Sequence, residues 1–370
     1  MRISIFTMSL LAALASQAAE PQLGTGDGDG YTLVWQDLFD GEQLNRDRWN
    51  VEIVSNPANN ELQYYIDDER TVRVGDDGKG NGCLILTANR EEYKNRHFTS
   101  GRVNSKHKVE FTHGKIEAAI KLPKTANGLW PAFWMMGNYD EVGWPRCGET
   151  DIMEFGNATG IRNKTQDRYF NGACHWGYYN DQWQYPNYAN SVTWDYSLQD
   201  DEFHLFTCIW DDEMISMYCD RDRFPDREPY YSIGIKAAES YPEPTWDTGE
   251  YFHKPNFILF NLAVGGHFPN ITDAAKITAL NDENDQTASM YVNYVKVYQR
   301  DNNITAPDNG DEQPEDNGDD NEGQDGIDSI AASTELPAEY FNLQGIRVAA
   351  PQAGAILIER RGSESRVVRF

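Results

Sequence analysis

Positive charge is scarce in this chain. Its 370 residues carry 32 Lys and Arg against 59 Asp and Glu, a formal net charge of -27. A surface of that sign repels the phosphate backbone of nucleic acid and anionic membranes, and it disfavours sulfated or strongly acidic polymers as substrates. Cysteine is sparse too. There are five, an odd number, so at least one thiol stays unpaired in a monomer. No spacing among them resembles a zinc or redox motif. Cys208 and Cys219 flank a predicted turn at residues 211–214, which leaves a bridge open, but buried free thiols are the simpler expectation. Beyond the first residues no apolar run is long enough to cross a bilayer, so no transmembrane segment is expected. No long stretch holds the 3.6-residue period of an amphipathic helix.

The N-terminus has a targeting pattern. Arg2 supplies a positive start, residues 3–15 an apolar run, and Ser16-Gln17-Ala18 a small-residue cleavage site. Residues 1–18 are therefore expected to be a signal peptide, removed on secretion to the periplasm, cell surface or medium. No Cys stands near the cleavage site, which argues against a lipid anchor there. Residues 19–30, rich in Gly and Asp, are expected to be flexible.

From residue 31 to residue 300 the pattern is short alternating apolar runs separated by turn signals. Residues 115–122 alternate as a half-buried strand does. Residues 257–264 are almost continuously apolar, as a central strand covered on both faces would be. Many strands in one domain of this length imply two packed antiparallel sheets. Residues 301–334 change character. The stretch 301–328 is rich in Asp, Glu, Asn and Gly and has no Lys or Arg, so an acidic disordered linker is expected. Residues 335–370 regain strand character, at 340–348, 354–359 and 366–369, and are too few to fold robustly alone.

Aromatic residues make up 12% of the chain, with 10 Trp and 20 Tyr. Such a content suits a large core, a sugar-stacking surface, or both. The segment Gly148-Glu149-Thr150-Asp151-Ile152-Met153-Glu154-Phe155 places three carboxylates within six residues. On a regular strand Glu149 and Asp151 share a face and Glu154 points away. One extra residue, a β-bulge, would bring Glu154 back to their face. Glu149 and Glu154 would then be about four strand steps, roughly 13 Å, apart at Cα, a gap that two inward-leaning Glu side chains on a curved sheet can largely close. Paired carboxyl groups at roughly 5–5.5 Å perform retaining glycoside hydrolysis. Packed so closely they cannot all ionise, so raised pKa values are expected. The spacing alone leaves open a solvated acidic strand or an incidental metal site.

The motif resembles the signature of glycoside hydrolase family 16, in the bulged form found in laminarinases. Further segments resemble landmarks of that family in the same order: NELQYY at 60–65, TSGRV at 99–103, GKIEA at 114–118, LWPAFWM at 129–135, HWG at 175–177, NLAVGG at 261–266 and YVNYV at 291–295. The resemblance covers residues 31–300. It implies an all-β jelly-roll sandwich of two curved antiparallel sheets with an open concave substrate cleft. It makes Glu149 the nucleophile, Glu154 the acid/base, Asp151 a residue that orients Glu149, and His175 a supporting residue facing the acids. It makes Asn60, Arg102, Trp130, Trp134 and Trp144 sugar-binding candidates. For each a plainer reading stands: core packing for the Trp and His side chains, an ion pair within the sheet for Arg102. Trp130 and Trp134 are an even number apart and should share a face, and Trp144, beside Pro145, should be exposed. The family's late VDYV strand reads Val292-Asn293-Tyr294-Val295 here. Its Asp commonly helps hold a structural calcium, so Asn293 is at most a weak calcium ligand, and no cofactor is required. The C-terminal 335–370 segment is similar to short sorting tails of secreted bacterial enzymes; a small β module is the alternative.

The expected function is a secreted, monomeric retaining endo-glycosidase cleaving internal β-1,3 bonds of β-glucans such as laminarin, with mixed β-1,3/1,4-glucan as a second substrate. A galactan hydrolase of the agarase or carrageenase type, a transglycosylase and a catalytically dead glucan-binding protein are the competing readings. The β-glucan is the one partner expected.

Overall fold

The computed structural model describes residues 30–300, except Pro242, and three strands within residues 339–369. The expected signal peptide (1–18), residues 19–29 and the linker (301–334) lie outside the described residues. Eighteen strands build the main unit. They are β1 (Tyr31–Asp37), β2 (Asn50–Val51), β3 (Tyr64–Tyr65), β4 (Val72–Asp76), β5 (Gly82–Tyr93), β6 (Arg96–Ser100), β7 (Arg102–Asn104), β8 (Glu110–Phe111) and β9 (Gly114–Lys121). There follow β10 (Leu129–Gly137), β11 (Glu149–Phe155), β12 (Tyr169–His175), β13 (Asn187–Thr193), β14 (His204–Trp210), β15 (Met214–Cys219), β16 (Tyr231–Gly234), β17 (Asn256–Val264) and β18 (Thr287–Arg300). Among the described residues helix is confined to two short pieces, α1 (Tyr139–Val142) and α2 (Ala158–Asn163), and a few 3₁₀ turns.

The strands form two sheets. One has ten strands in the order β16-β15-β14-β9-β18-β5-β6-β3, with β1 on β18 and β4 on β5. The other has eight, in the order β13-β12-β11-β10-β17-β7-β2, with β8 on β17. Neither closes on itself, as in a jelly-roll sandwich, and all pairings but β3 with β6 are antiparallel. Apolar side chains from both sheets meet in one core, including Phe133, Ile152, Phe155, Phe170 and Phe260 from the eight-stranded sheet and Ile116, Phe206, Trp210 and Val295 from the other. Each such side chain contributes about 1.5–3 kcal/mol by leaving water. All nine residues of β17 are buried, as its continuous apolar run implies.

β9 departs from the half-buried strand expected of it: seven of its eight residues are buried. The outward lysines are roofed by aromatic rings. Lys115 Nζ lies 4.2 Å from the Tyr298 ring centroid, and Lys121 Nζ lies 4.5 Å from that of Tyr291 and 3.2 Å from Asp77 Oδ2. Their methylene stems cover the sheet while each ammonium keeps a π-face or carboxylate as partner. All five cysteines are buried free thiols; Cys208 and Cys219 sit on the two arms of the β14–β15 hairpin without a bridge.

The chain divides into two units at Gly310 and Asp311. In the second, β19 (Glu339–Phe341), β20 (Ile356–Arg361) and β21 (Glu364–Arg369) form an antiparallel three-stranded sheet in that order.

Candidate active site

The acidic strand, β11, lies between β10 and β12 in the eight-stranded sheet. Its register slips once. On β10, Phe133 pairs with Met153 but Trp134 pairs with Asp151, so Ile152 is an extra residue. The same slip separates Asp151 (opposite Ala173) from Glu154 (opposite Asn171) on β12. Ile152 and Met153 both enter the core, each 0% exposed. Glu154 therefore returns to the outward face with Glu149 and Asp151, and the expected bulge is present. Gly156, at φ +94°, ends the strand. A Cβ there would stand 2.0 Å from the Leu129 carbonyl oxygen, so only glycine fits.

Each of the two glutamate carboxylates is held by a designated donor. Trp144 Nε1 donates to Glu149 Oε2 (3.0 Å). Trp130 Nε1 donates to Glu154 Oε1 (2.9 Å) and Asn171 Nδ2 to Oε2 (2.8 Å). His175 Nε2 lies 3.3 Å from Asp151 Oδ2, and its Nδ1 lies 3.2 Å from the Tyr185 hydroxyl. One polar atom each from Glu149, Asp151 and His175 falls within 4.8 Å of the others, the one such His, Cys, Asp or Glu cluster among the described residues. Burial pushes the carboxyl groups of Glu149, Asp151 and Glu154 up to about 8. Repulsion from the Asp151 charge adds to the effect at both glutamates, while His175 and the indole donors oppose it. Three carboxylates in this space cannot all be charged at neutral pH, so the cluster titrates as a set.

The sugar-binding candidates divide between the two sides of β11. Trp130 and Trp134 do share the outward face, because β10 keeps an unbroken register with β17. Trp134 Nε1 donates to Asn261 Oδ1 (2.8 Å), and the Arg102 guanidinium lies 4.9 Å from its ring centroid. Arg102 also makes the ion pair allowed for it, with Nε 3.0 Å from Glu52 Oε2, so it both braces the sheet and flanks Trp134. Asn261 Nδ2 reaches the Tyr65 hydroxyl (3.3 Å), which donates to Glu61 (3.1 Å). Asn60 is exposed on a loop and donates its amide to His267 Nε2 (2.6 Å). The next residue, Phe268, stacks on Trp130 at 4.8 Å. Trp144 is 37% exposed and packs against His175, Tyr179 and Tyr185.

Asn293 lies on β18, in the other sheet, and donates its amide nitrogen to the Gly82 carbonyl (2.8 Å). The adjacent Cys83 also feels the Lys121–Asp77 pair. With its amide nitrogen engaged at the Gly82 carbonyl, the side-chain oxygen is the one atom of Asn293 left to face a cation. Sequence reasoning missed Asn171, Glu52, Glu61 and Tyr185. Asn171 is identifiable only from the β11–β12 register. Asn261 was findable: it interrupts the apolar run 257–264.

Comparison with known proteins agrees with this architecture. Residues 7–151 match a family model described as beta-glucan synthesis-associated protein SKN1/KRE6/Sbg1. The chain is 32% identical over 281 residues to a glucan endo-1,3-beta-glucosidase of Cryptopygus antarcticus, covering 72% of this chain and 89% of that one. It is 29% identical over 293 residues to glucan endo-1,3-beta-glucosidase A1 of Niallia circulans, covering 73% of this chain but 38% of that longer protein. In three dimensions it is similar to a glycoside hydrolase family 16 endo-glucanase from Bacteroides ovatus, at 38% identity and a TM-score of 0.60, over 72% of this chain and 100% of the other. Sequence identity across most of a whole relative, and a two-sheet scaffold in common with a solved member, lead to one assignment: the chain belongs to glycoside hydrolase family 16.

Proposed function

We propose that this protein is a secreted retaining endo-β-1,3-glucanase acting on laminarin-type β-glucan and on mixed β-1,3/1,4-glucan. The observation that carries the reading is the bulge at Ile152, which sets Glu149, Asp151 and Glu154 on one face of the sheet, with indole donors on both glutamates and His175 beside Asp151. An open face admits the middle of a polymer, which favours endo action. The net charge of -27 favours a neutral polysaccharide.

In this mechanism Glu149 carries the charge and Asp151 the proton facing it, since Asp151 is the acid with fewest donors. Glu149 attacks the anomeric carbon while Glu154 gives its proton to the departing glycosidic oxygen. The C–O bond to the leaving chain breaks as the bond to Glu149 forms. Ester formation consumes the Glu149 charge, which relieves its repulsion on Glu154 and lowers the Glu154 pKa. Glu154 is then a base. It takes a proton from water as the water oxygen attacks the same carbon and releases Glu149. His175, backed by Tyr185, holds Asp151 in place. Trp134, Arg102 and Asn60 bind sugar on the β17 side.

The test is incubation of the purified protein with laminarin and with mixed-linkage glucan, products being sized over time. An early ladder of oligosaccharides from laminarin supports the proposal, and the relative rates give the linkage preference. Folded protein that cleaves neither rejects it.

A further inference from the structure

The described residues expose three tryptophans by more than a third: Trp144, Trp183 and Trp246, at 37%, 80% and 40%. All three lie at the same end of the site. Trp183 is the extreme case. It stands in the loop between β12 and β13, the two strands beyond β11 at that side of the sheet. Its backbone is left-handed, at φ +58°, which a bulky side chain adopts only when its surroundings impose it.

The surroundings are built for it. The Asn180 backbone N–H donates to the Gln184 carbonyl, its carbonyl accepts from the Trp183 N–H, and its side-chain oxygen accepts from the backbone N–H of Gln182 and Gln184. The loop is tied down behind by Trp176, whose indole donates to the Trp246 carbonyl, while the Trp246 indole donates to that of Tyr178. A stiff turn thus holds one large ring out in water. Core packing does not account for it: among the described residues its one ring neighbour is Tyr179, at 5.6 Å.

That contact makes the ring part of a series. Tyr179 lies 6.0 Å from Trp144, and Trp144 donates to Glu149. Each step is comparable to the length of one pyranose ring. Beneath the series, the outward positions of β13 beside His175 and Asn171 are the small or polar Asn187, Ala189 and Ser191, all exposed, which leave the floor open to the sheet edge.

We infer that Trp183, with Tyr179, forms a distal sugar-stacking platform that continues the glucan-binding surface past Trp144 to the β13 edge, away from Arg102 and Trp134. The inference rests on the glucanase reading for its occupant, the same glucan chain. Trp183 is a positioning residue: it selects long chains and sets where they are cut, and it does not touch the reacting atoms.

The experiment compares wild type, Trp183→Ala and Trp183→Phe as full chains on laminarin and on β-1,3-gluco-oligosaccharides of increasing length. Stacking losses of this kind predict a roughly five- to tenfold higher KM on laminarin for Trp183→Ala, with kcat little changed. The loss shrinks with chain length and vanishes for oligosaccharides too short to reach the platform, product sizes shift, and Trp183→Phe restores most of the difference. An equal loss at every length, or no change in KM and product sizes, overturns the inference. Affinity electrophoresis in laminarin gels separates this from failure of the glucanase reading. If wild type cleaves no glucan yet is retarded, and Trp183→Ala is not, the platform stands. If both migrate alike, it falls.

Discussion

Replacing Asp151 by Asn should stabilise this protein, and by an amount that depends on pH. Asp151 is buried, and its carboxyl is pushed from 3.8 up to about 8 by loss of water alone. A carboxyl raised on folding binds more protons in the native state than in the unfolded chain between those two values. Stability therefore falls as pH rises through that window, and the whole penalty is present above about 8. A rise of about four pH units, at 1.36 kcal/mol for each, sets a ceiling of roughly 5–6 kcal/mol. Interior charges behave as if in a dielectric near 20, which reduces this to about 2–3 kcal/mol. Asn keeps the shape, an oxygen for His175 and a donor for Glu149, and cannot ionise. Thermal unfolding of wild type and Asp151→Asn from pH 4 to 8.5 is the assay. At pH 8 the variant should melt about 5–10 °C higher, from 2–4 °C per kcal/mol for a domain of this size. At pH 4 the two should agree closely, or the variant should be slightly weaker for its altered contact with His175. A difference that does not vary with pH, or a variant that loses stability as pH rises, refutes the electrostatic account of the site.

The other predictions concern roles and supports. Glu154→Ala should lose about 10²–10⁴-fold in kcat, and azide should rescue it on an activated glycoside with retained configuration; Glu149→Ala should instead yield azide product of inverted configuration, and swapped outcomes would reverse the two assignments. Trp130→Phe removes a hydrogen bond that lowers the Glu154 pKa, so the alkaline limb of the kcat/KM profile should move up by roughly half to one pH unit, and a downward move would contradict the donor role. Asp220 is buried among His204 Nδ1, the Tyr196 hydroxyl and the Leu205 N–H, so Asp220→Asn should cost about 3 kcal/mol in denaturant unfolding. Burial opposes both charges of the Asp220–His204 pair, but their hydrogen bonds win, lowering the Asp220 pKa and raising that of His204. The Asp220 contribution is lost as pH falls below 3.8 and the His204 contribution as pH rises above 6.5, so the cost should be largest between those limits.

Most of the scaffold was legible because its signals are local. Apolar alternation and the almost continuous apolar run at residues 257–264 are properties of short segments, and two sheets follow from them. The bulge was legible for a sharper reason: three acids that chemistry wants on one face cannot share it at spacings of two and three without an extra residue. What stayed hidden depends on register between distant strands. Asn171 acquires meaning only when β12 is laid opposite Glu154, and Glu52 only when β2 is laid beside Arg102. The burial of β9 was hidden likewise, since Tyr291 and Tyr298 reach its lysines from β18, far along the chain. Nor did composition alone distinguish Trp183, which is exposed, from Trp210, which is 1% exposed; local turn chemistry around Asn180 decides that.

The bulge also explains how a site so costly in electrostatic terms is tolerated. Three clustered carboxylates work against folding wherever they are charged. The same strand supplies the offset, because the extra residue sends Ile152 and Met153 together into the core where a regular strand would send one. Burial of a side chain that size is worth about 1.5–3 kcal/mol, comparable to the penalty worked out for Asp151. Deleting Ile152 would remove that anchor and turn Glu149 and Asp151, or Glu154, to the opposite face in one step. Catalytic geometry and strand stability are therefore coupled through a single inserted residue. A change that restores regular pairing there must forfeit both.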